Sequence, residues 1–209
     1  MKWLYRIPLH LLKWLLIKIP MQLLGMIILA PLLLFIPRDK EHLPSMFKWF
    51  DNADYYRKPK GSLIDGLSGD PAHRKQYKDP TGWWARYYWL AIRNPINYFQ
   101  YYKLGVAYEL GNVTDIQHSG NRYTSDWIRN KNFKNNGLFI AKVKIKNKVY
   151  WELYWVFNWN DNRCLRLRLG WKINQVPEMS MLSQVTANRH FQFTFNFHPY
   201  KEIQDRSGI

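Results

Sequence analysis

Six histidines, one cysteine and fifteen acids are the side chains of this 209-residue chain from which acid–base, nucleophilic or metal chemistry would be built. The histidines stand at His10, His42, His73, His118, His190 and His198. None falls in an HExxH pair, the spacing that puts two imidazoles on one helical turn around zinc. His190 and His198 are eight apart in a strand-like run. They share a side but lie about 26 Å apart at the rise of a strand, too far to hold one ion. Cys164 sits in the alternating run RCLRLRLGWK and reads as a small strand residue. A lone thiol makes no internal disulfide and no multi-cysteine zinc site. Glu109, Asp115 and Asp126 read as surface acids. There is no phosphate-cradling GxxxxGK[ST], no GxGxxG and no GxSxG elbow. The sequence assigns no catalytic residue, no metal ligand and no cofactor.

What the chain does carry is charge and aromatic rings. Lys and Arg total 31 against 15 acids, a net charge of +16. That balance calls for an anionic partner, either a phospholipid surface or a nucleic acid. Aromatic residues make up 17% of the chain, and 11 of them are Trp. Such rings favour places with one apolar and one wet side.

Three segments position these residues: 1–37, 38–81 and 82–209. In the first, Lys2, Arg6, His10 and Lys13 fall on one helical stripe. Trp3, Leu4, Ile7, Leu11, Trp14 and Leu15 cover the rest, the pattern of a basic helix lying in a headgroup layer. From Ile19 to Pro37 there are 19 positions without a charge. That is about the length that crosses a hydrocarbon core. The residues assigned to membrane anchoring are Lys2, Trp3, Arg6, Lys13, Trp14, Lys18, Leu23, Ile28, Leu33 and Phe35. Only bulky residues follow the run, which argues against a cleaved signal peptide. Pro20, Gly25 and Pro31 interrupt it. A single kinked helix is the expectation, with a re-entrant or interfacial course as the alternative, because irregular backbone is costly in lipid. Lys and Arg on both flanks leave the orientation open.

Residues 38–81 are rich in Pro and Gly and read as connecting loop, with a short helix over PSMFKWFDNADYY that Ser45 would cap. The third segment opens on GWWARYYWLAIRNPINYFQYYKLG, residues 82–105. Trp83, Tyr87 and Leu90 repeat at helical spacing, as do Trp84, Tyr88 and Ala91. Arg86 and Arg93, seven apart, share a face of their own. The helix should stop at Arg93, before the Asn94-Pro95 step; Asn94 would cap a second helix and Pro95 begin it. Beyond residue 106 the period becomes two. Lys142, Lys144 and Lys146 alternate with Val143 and Ile145; Trp151, Leu153, Trp155 and Phe157 alternate with Tyr150, Glu152 and Tyr154. NWNDN at 158–162 is turn chemistry. Leu165, Leu167 and Leu169 then alternate with Arg166 and Arg168, and a last strand places Phe191, Phe193, Phe195 and Phe197 on one side. The expectation is an α+β chain in which two aromatic helices pack on an antiparallel meander of about four strands.

The Trp-rich stretch running into Arg-Asn-Pro, the LRLGWK at 167–172 and the FHP at 197–199 resemble a group of small uncharacterised proteins of tailed bacteriophages. The likeness spans roughly residues 82–199 and implies a phage origin; the membrane segment 1–37 of a phage protein would then sit in the host inner membrane. It transfers no activity and no catalytic residue.

Taken together, these readings predict a non-enzymatic, membrane-anchored protein of the host envelope. Its basic sheet face, formed by Lys142, Lys144, Lys146, Arg166 and Arg168, would meet anionic headgroups. The first alternative is a membrane-tethered nucleic-acid binder in which the same cations hold phosphates and Tyr150 and Tyr154 stack bases. The second is an enzyme with an unrecognised site.

Overall fold

The structure, a computed structural model, describes residues 5–53, 66–108, 112–120, 128–129, 137–173, 190–202 and 204–205. It is an α+β protein that divides into two compact units, one mainly helical and one built on a sheet. Helix α1 runs over Arg6–Phe35 without a break. It is α-helical over Arg6–Lys13, π-type over Trp14–Lys18 and α-helical again over Ile19–Phe35. Pro20 falls in the first turn of that last stretch, where its missing N–H has no partner to lose. Pro31 lies inside it and the helix continues through.

The helical unit takes α1 from Leu11 onward and everything described up to Ala107. A 3-10 turn covers Ser45–Phe50, with Pro44 and not Ser45 at its cap position. Helix α2 (Pro71–Arg74) forms inside the stretch expected to be loop. Asp70 caps it, its Oδ1 accepting from the His73 N–H at 2.7 Å, and Pro71 supplies the first turn. Helix α3 (Trp83–Tyr87) continues as a π-type turn over Tyr88–Arg93, closed by the Asn94 N–H donating to Trp89 O at 2.9 Å. Asn94 and Pro95 do not form the expected cap and first turn of the second aromatic helix. That helix, α4, is Asn97–Tyr102, and the residue before it is Ile96, held at φ 48. A β-branched residue seldom adopts that left-handed conformation. Ile96 is 1% exposed, so burial of its side chain in the core keeps it there.

The core of this unit joins Leu29, Leu33 and Ile36 to Leu43, Phe50, Leu67, Trp89, Leu90, Ala91 and Ile96. The sequence reading laid both aromatic helices on the sheet. The structure gives α3 the first helix as its partner, and α4 touches a small antiparallel ribbon of β1 (Val106–Ala107) and β7 (His190–Phe191). Phe191 therefore leaves the Phe193–Phe197 row, since Gln192 separates β7 from the next strand.

The sheet unit takes the start of α1, up to His10, and five antiparallel strands in the order β2-β4-β5-β6-β8. These are β2 (Val113–Gly120), β4 (Gly137–Ile145), β5 (Lys148–Asn158), β6 (Arg163–Trp171) and β8 (Phe193–Glu202). The last four form the expected meander, and β2 adds an edge strand beside β4. A separate pair, β3 (Ile128–Arg129) and β9 (Gln204–Asp205), is parallel. Lys146 and Asn147 make the first hairpin turn, with Lys146 at φ 53. Asn160 makes the second, its Oδ1 accepting from the Asn162 and Arg163 N–H groups. Gly170 is needed where it stands: at φ 95, a Cβ would come within 2.1 Å of Trp151 O.

Candidate functional site

Three side chains on one face of α3 donate to the backbone of α1. Trp83 Nε1 reaches Ala30 O at 2.7 Å, Arg86 Nη2 reaches Leu33 O at 2.9 Å and Tyr87 OH reaches Met26 O at 3.4 Å. Positions i, i+3 and i+4 of a helix lie on one side, so the WWARY spacing itself aligns the donors. Arg86 Nη1 also donates to Ile36 O at 3.1 Å and Pro37 O at 3.2 Å. The last carbonyls of a helix lack intrahelical donors and carry the negative end of its dipole. A buried guanidinium at that place answers both needs, and Arg86 is 3% exposed. Its burial pulls its pKa down, the Arg38 charge pulls further, and Asp79 opposes; a guanidinium stays protonated throughout. Arg93, by contrast, is solvent-facing. It pairs with Asp70 at 3.0 Å and lies 4.8 Å over the Trp89 ring.

Docking fixes which way α1 faces. Gly25, Leu29 and Leu33 look into the core, and Phe50 lies so close that a Cβ on Gly25 would meet its ring at 2.8 Å. Pro20, Leu23, Leu24, Ile27, Pro31, Leu34 and Phe35 are exposed. Their spacing of i, i+3, i+4, i+7, i+11, i+14 and i+15 makes one continuous stripe. It holds no polar atom in its side chains, and Ile27 and Phe35 are 71% and 82% exposed.

The anchoring residues read from sequence therefore divide. Leu23 and Phe35 point outward, Ile28 packs at the core margin and Leu33 is in the core. Lys13 is exposed, while Lys18 is buried with its ammonium 5.1 Å over the half-buried Trp14 ring. Lys2 and Trp3 lie outside the described residues. Arg6 donates to Val149 O at 2.9 Å. His10 leaves the basic stripe altogether. It is 3% exposed, with ring centroids of Phe193, Trp151 and Trp171 at 4.2, 5.3 and 5.5 Å and its Nε2 2.9 Å from Thr194 O.

The five cations expected on one sheet face are split by register. Lys142 pairs with Trp151 and Lys144 with Val149, whereas Arg168 pairs with Tyr154 and Arg166 with Val156. Paired residues share a face and neighbours along a strand alternate, so the lysines and arginines point to opposite sides. Lys146 sits in the turn. The arginine side is the more buried one: Phe139, Val143, Glu152, Tyr154 and Val156 are each 5% exposed or less. Arg168 Nε donates to Glu152 at 2.5 Å and its guanidinium lies 5.0 Å from the Tyr154 ring. Tyr154 therefore offers no open ring to a base. Tyr150 is half-buried beside Trp171, and burial pushes its hydroxyl pKa up. The other side exposes Leu138, Trp155, Phe157 and Phe197.

Sequence reasoning passed over two further groups. Glu152, 0% exposed, accepts from Arg168 and from the Ile173 N–H at 2.7 Å; a single acid inside the aromatic strand VYWELYW was its signal. His73, also 0% exposed, lies 2.9 Å by Nε2 from Ala85 O; the Asp-Pro step that caps α2 was its signal. Among the other candidates, Cys164 is buried in β6, and Asp115 pairs with Lys144 at 3.5 Å. Glu109 and Asp126 lie outside the described residues.

The molecule is thus an α+β protein whose long apolar helix is held by an aromatic helix through its backbone carbonyls. The chain belongs to DUF7338, a family of unknown function, whose model matches residues 3–203. No curated protein and no solved structure matches it.

Proposed function

We propose that this is a non-enzymatic membrane-associated protein of a bacteriophage, acting at the host cell envelope, with α1 as its membrane element and its positive charge facing anionic headgroups. The observation that carries the reading is the charge-free outer stripe of α1. Five large apolar side chains, Leu23, Leu24, Ile27, Leu34 and Phe35, are 45–82% exposed on one face of one helix. Removing each from water is worth about 1 kcal/mol at that exposure, a strong drive when the five act together. An apolar surface of this extent on a water-soluble chain marks a contact site. Lys13, Arg38, Lys40 and Lys48 are exposed around the helix and its core. Near an anionic bilayer each adds about 1 kcal/mol. The phage origin rests on the likeness of the Trp-rich Arg-Asn-Pro segment to proteins of tailed bacteriophages.

Deleting residues 1–37 would also remove Leu29, Leu33 and Ile36 from the core, so the outer stripe is the better target. The full chain carrying Leu24→Lys and Ile27→Lys should leave the membrane pellet for the soluble fraction while keeping its helical circular-dichroism signal. A double variant that still pellets like the parent overturns the reading.

A further inference from the structure

We infer that α1 lies in the plane of the membrane, with its outer stripe in the lipid and its inner face carrying the protein, and does not cross the bilayer. This rests on the membrane association proposed above and specifies its geometry.

The inner face of α1 decides between the two courses. The charge-free run Ile19–Pro37 is centred on Ile28, and Gly25 is three residues from that centre. Were the run a span, Gly25 would stand about 4.5 Å from the bilayer midplane at the rise of a helix. Phe50 packs directly on Gly25. Phe50 ends the 3-10 turn Ser45–Phe50, in which Lys48 is exposed, and it precedes Asp51 and Asn52, both 0% exposed. A span would therefore carry the exposed Lys48 ammonium and the 3-10 backbone around it to the depth of the acyl chains. Lipid-exposed charge at the midplane is heavily penalised, and irregular backbone survives there only when covered by protein.

An in-plane helix removes the conflict. Gly25, Leu29 and Leu33 stay against the protein, and the stripe on the opposite arc, from Pro20 to Phe35, enters the acyl boundary. Interfacial helices of 20–30 residues bury an apolar face about 5–10 Å deep. Helix α1, at 30 residues, is of that size. The Arg86 guanidinium, which holds Leu33 O, Ile36 O and Pro37 O, then remains on the protein side with its partners.

The test places single cysteines at Lys13 and Lys40, exposed positions on either side of the charge-free run, in the full-length chain. Cys164 is fully buried and stays, the parent chain giving its background. Spheroplasts and inverted inner-membrane vesicles are treated with a membrane-impermeant maleimide. Lys13→Cys and Lys40→Cys should both react in the same preparation and lose labelling in the other. Reaction of one in spheroplasts and the other in inverted vesicles would establish a span and overturn the in-plane course, while leaving membrane association standing. Absence of the protein from both membrane preparations would overturn the association itself, and the geometry with it. A nitroxide at Ile27→Cys gives a second reading: a depth of about 5–10 Å below the headgroups supports the inference, and a depth near the bilayer centre, about 15 Å, refutes it.

Discussion

Two arginines, Arg86 buried in the helical unit and Arg168 part-buried in the sheet unit, are accommodated in different ways. Arg86 is surrounded by carbonyl oxygens: it donates to Leu33, Ile36 and Pro37, and the ion pair nearest to it in charge, Arg38–Asp79, is exposed. Arg168 meets a carboxylate, Glu152, and lies along the Tyr154 ring. The first side chain directs its charge at backbone groups that a helix end leaves unpaired. The second neutralises an acid that the sheet has buried. Arg86 therefore ties one element to another across about 50 residues of sequence, as its contact with Ile36 shows. Arg168 joins β6 to the β5 residue Glu152, diagonal to its paired neighbour Tyr154. The difference predicts that Arg86 matters for assembly of the helical core and Arg168 for the local order of the sheet.

The largest effect should come from Arg86. Arg86→Met leaves the Leu33, Ile36 and Pro37 carbonyls without their donor and should cost about 3–5 kcal/mol, given that hydrogen bonds from a charged donor contribute roughly 1.5–3 kcal/mol each. Arg86→Lys, which keeps the charge but loses the planar fork, should recover only part of this. Denaturant unfolding in detergent micelles, followed by circular dichroism, gives the values. Equal stability of Arg86→Met and the parent would dissolve the contrast between the two arginines.

Glu152 comes next. Glu152→Gln should cost about 2–4 kcal/mol because it leaves the Arg168 charge poorly compensated. The double change Glu152→Leu with Arg168→Met should regain most of the loss, since an ion pair replaced by apolar packing is often neutral. The same double-variant logic has no counterpart at Arg86, whose partners are backbone. If the double variant is as unstable as the single one, the pair is doing more than neutralising itself.

The smallest effect belongs to His73, a neutral version of the Arg86 device. Its Nε2–H donates to Ala85 O, and its Nδ1 has no partner among the described residues. Burial, foremost, holds its pKa below the ordinary 6.5, with the Ala85 bond opposing and Arg93 adding to the depression. A base whose folded-state pKa is lowered takes its proton more readily when unfolded. Stability should be flat with respect to this group above about pH 6.5 and fall as the pH drops below it. In His73→Gln that acid limb should flatten, as read from unfolding midpoints at pH 5, 6 and 7.5. An unchanged limb would show that other groups carry it.

Periodicity along the chain determined a good deal of this protein. The 3.6-residue repeat of Trp83, Tyr87 and Leu90 marked α3, and the alternation from Lys142 to Leu169 marked three strands of the meander with their turns, because burial of one face imposes a period on any regular element. The charge-free run from Ile19 to Pro37 made the first helix evident by its length instead. What no local pattern held was the partner of each face. Over Ile19–Phe35 α1 carries no charge on any face, so only the packing of Phe50 and α3 decides that Gly25, Leu29 and Leu33 turn inward. Lys142 and Arg168 both stand at polar positions of alternating strands, yet whether they share a surface depends on the offset between β4, β5 and β6. Shifting that offset by one residue would reverse the answer, and it is set by hydrogen-bonded register between strands, which tertiary structure alone supplies.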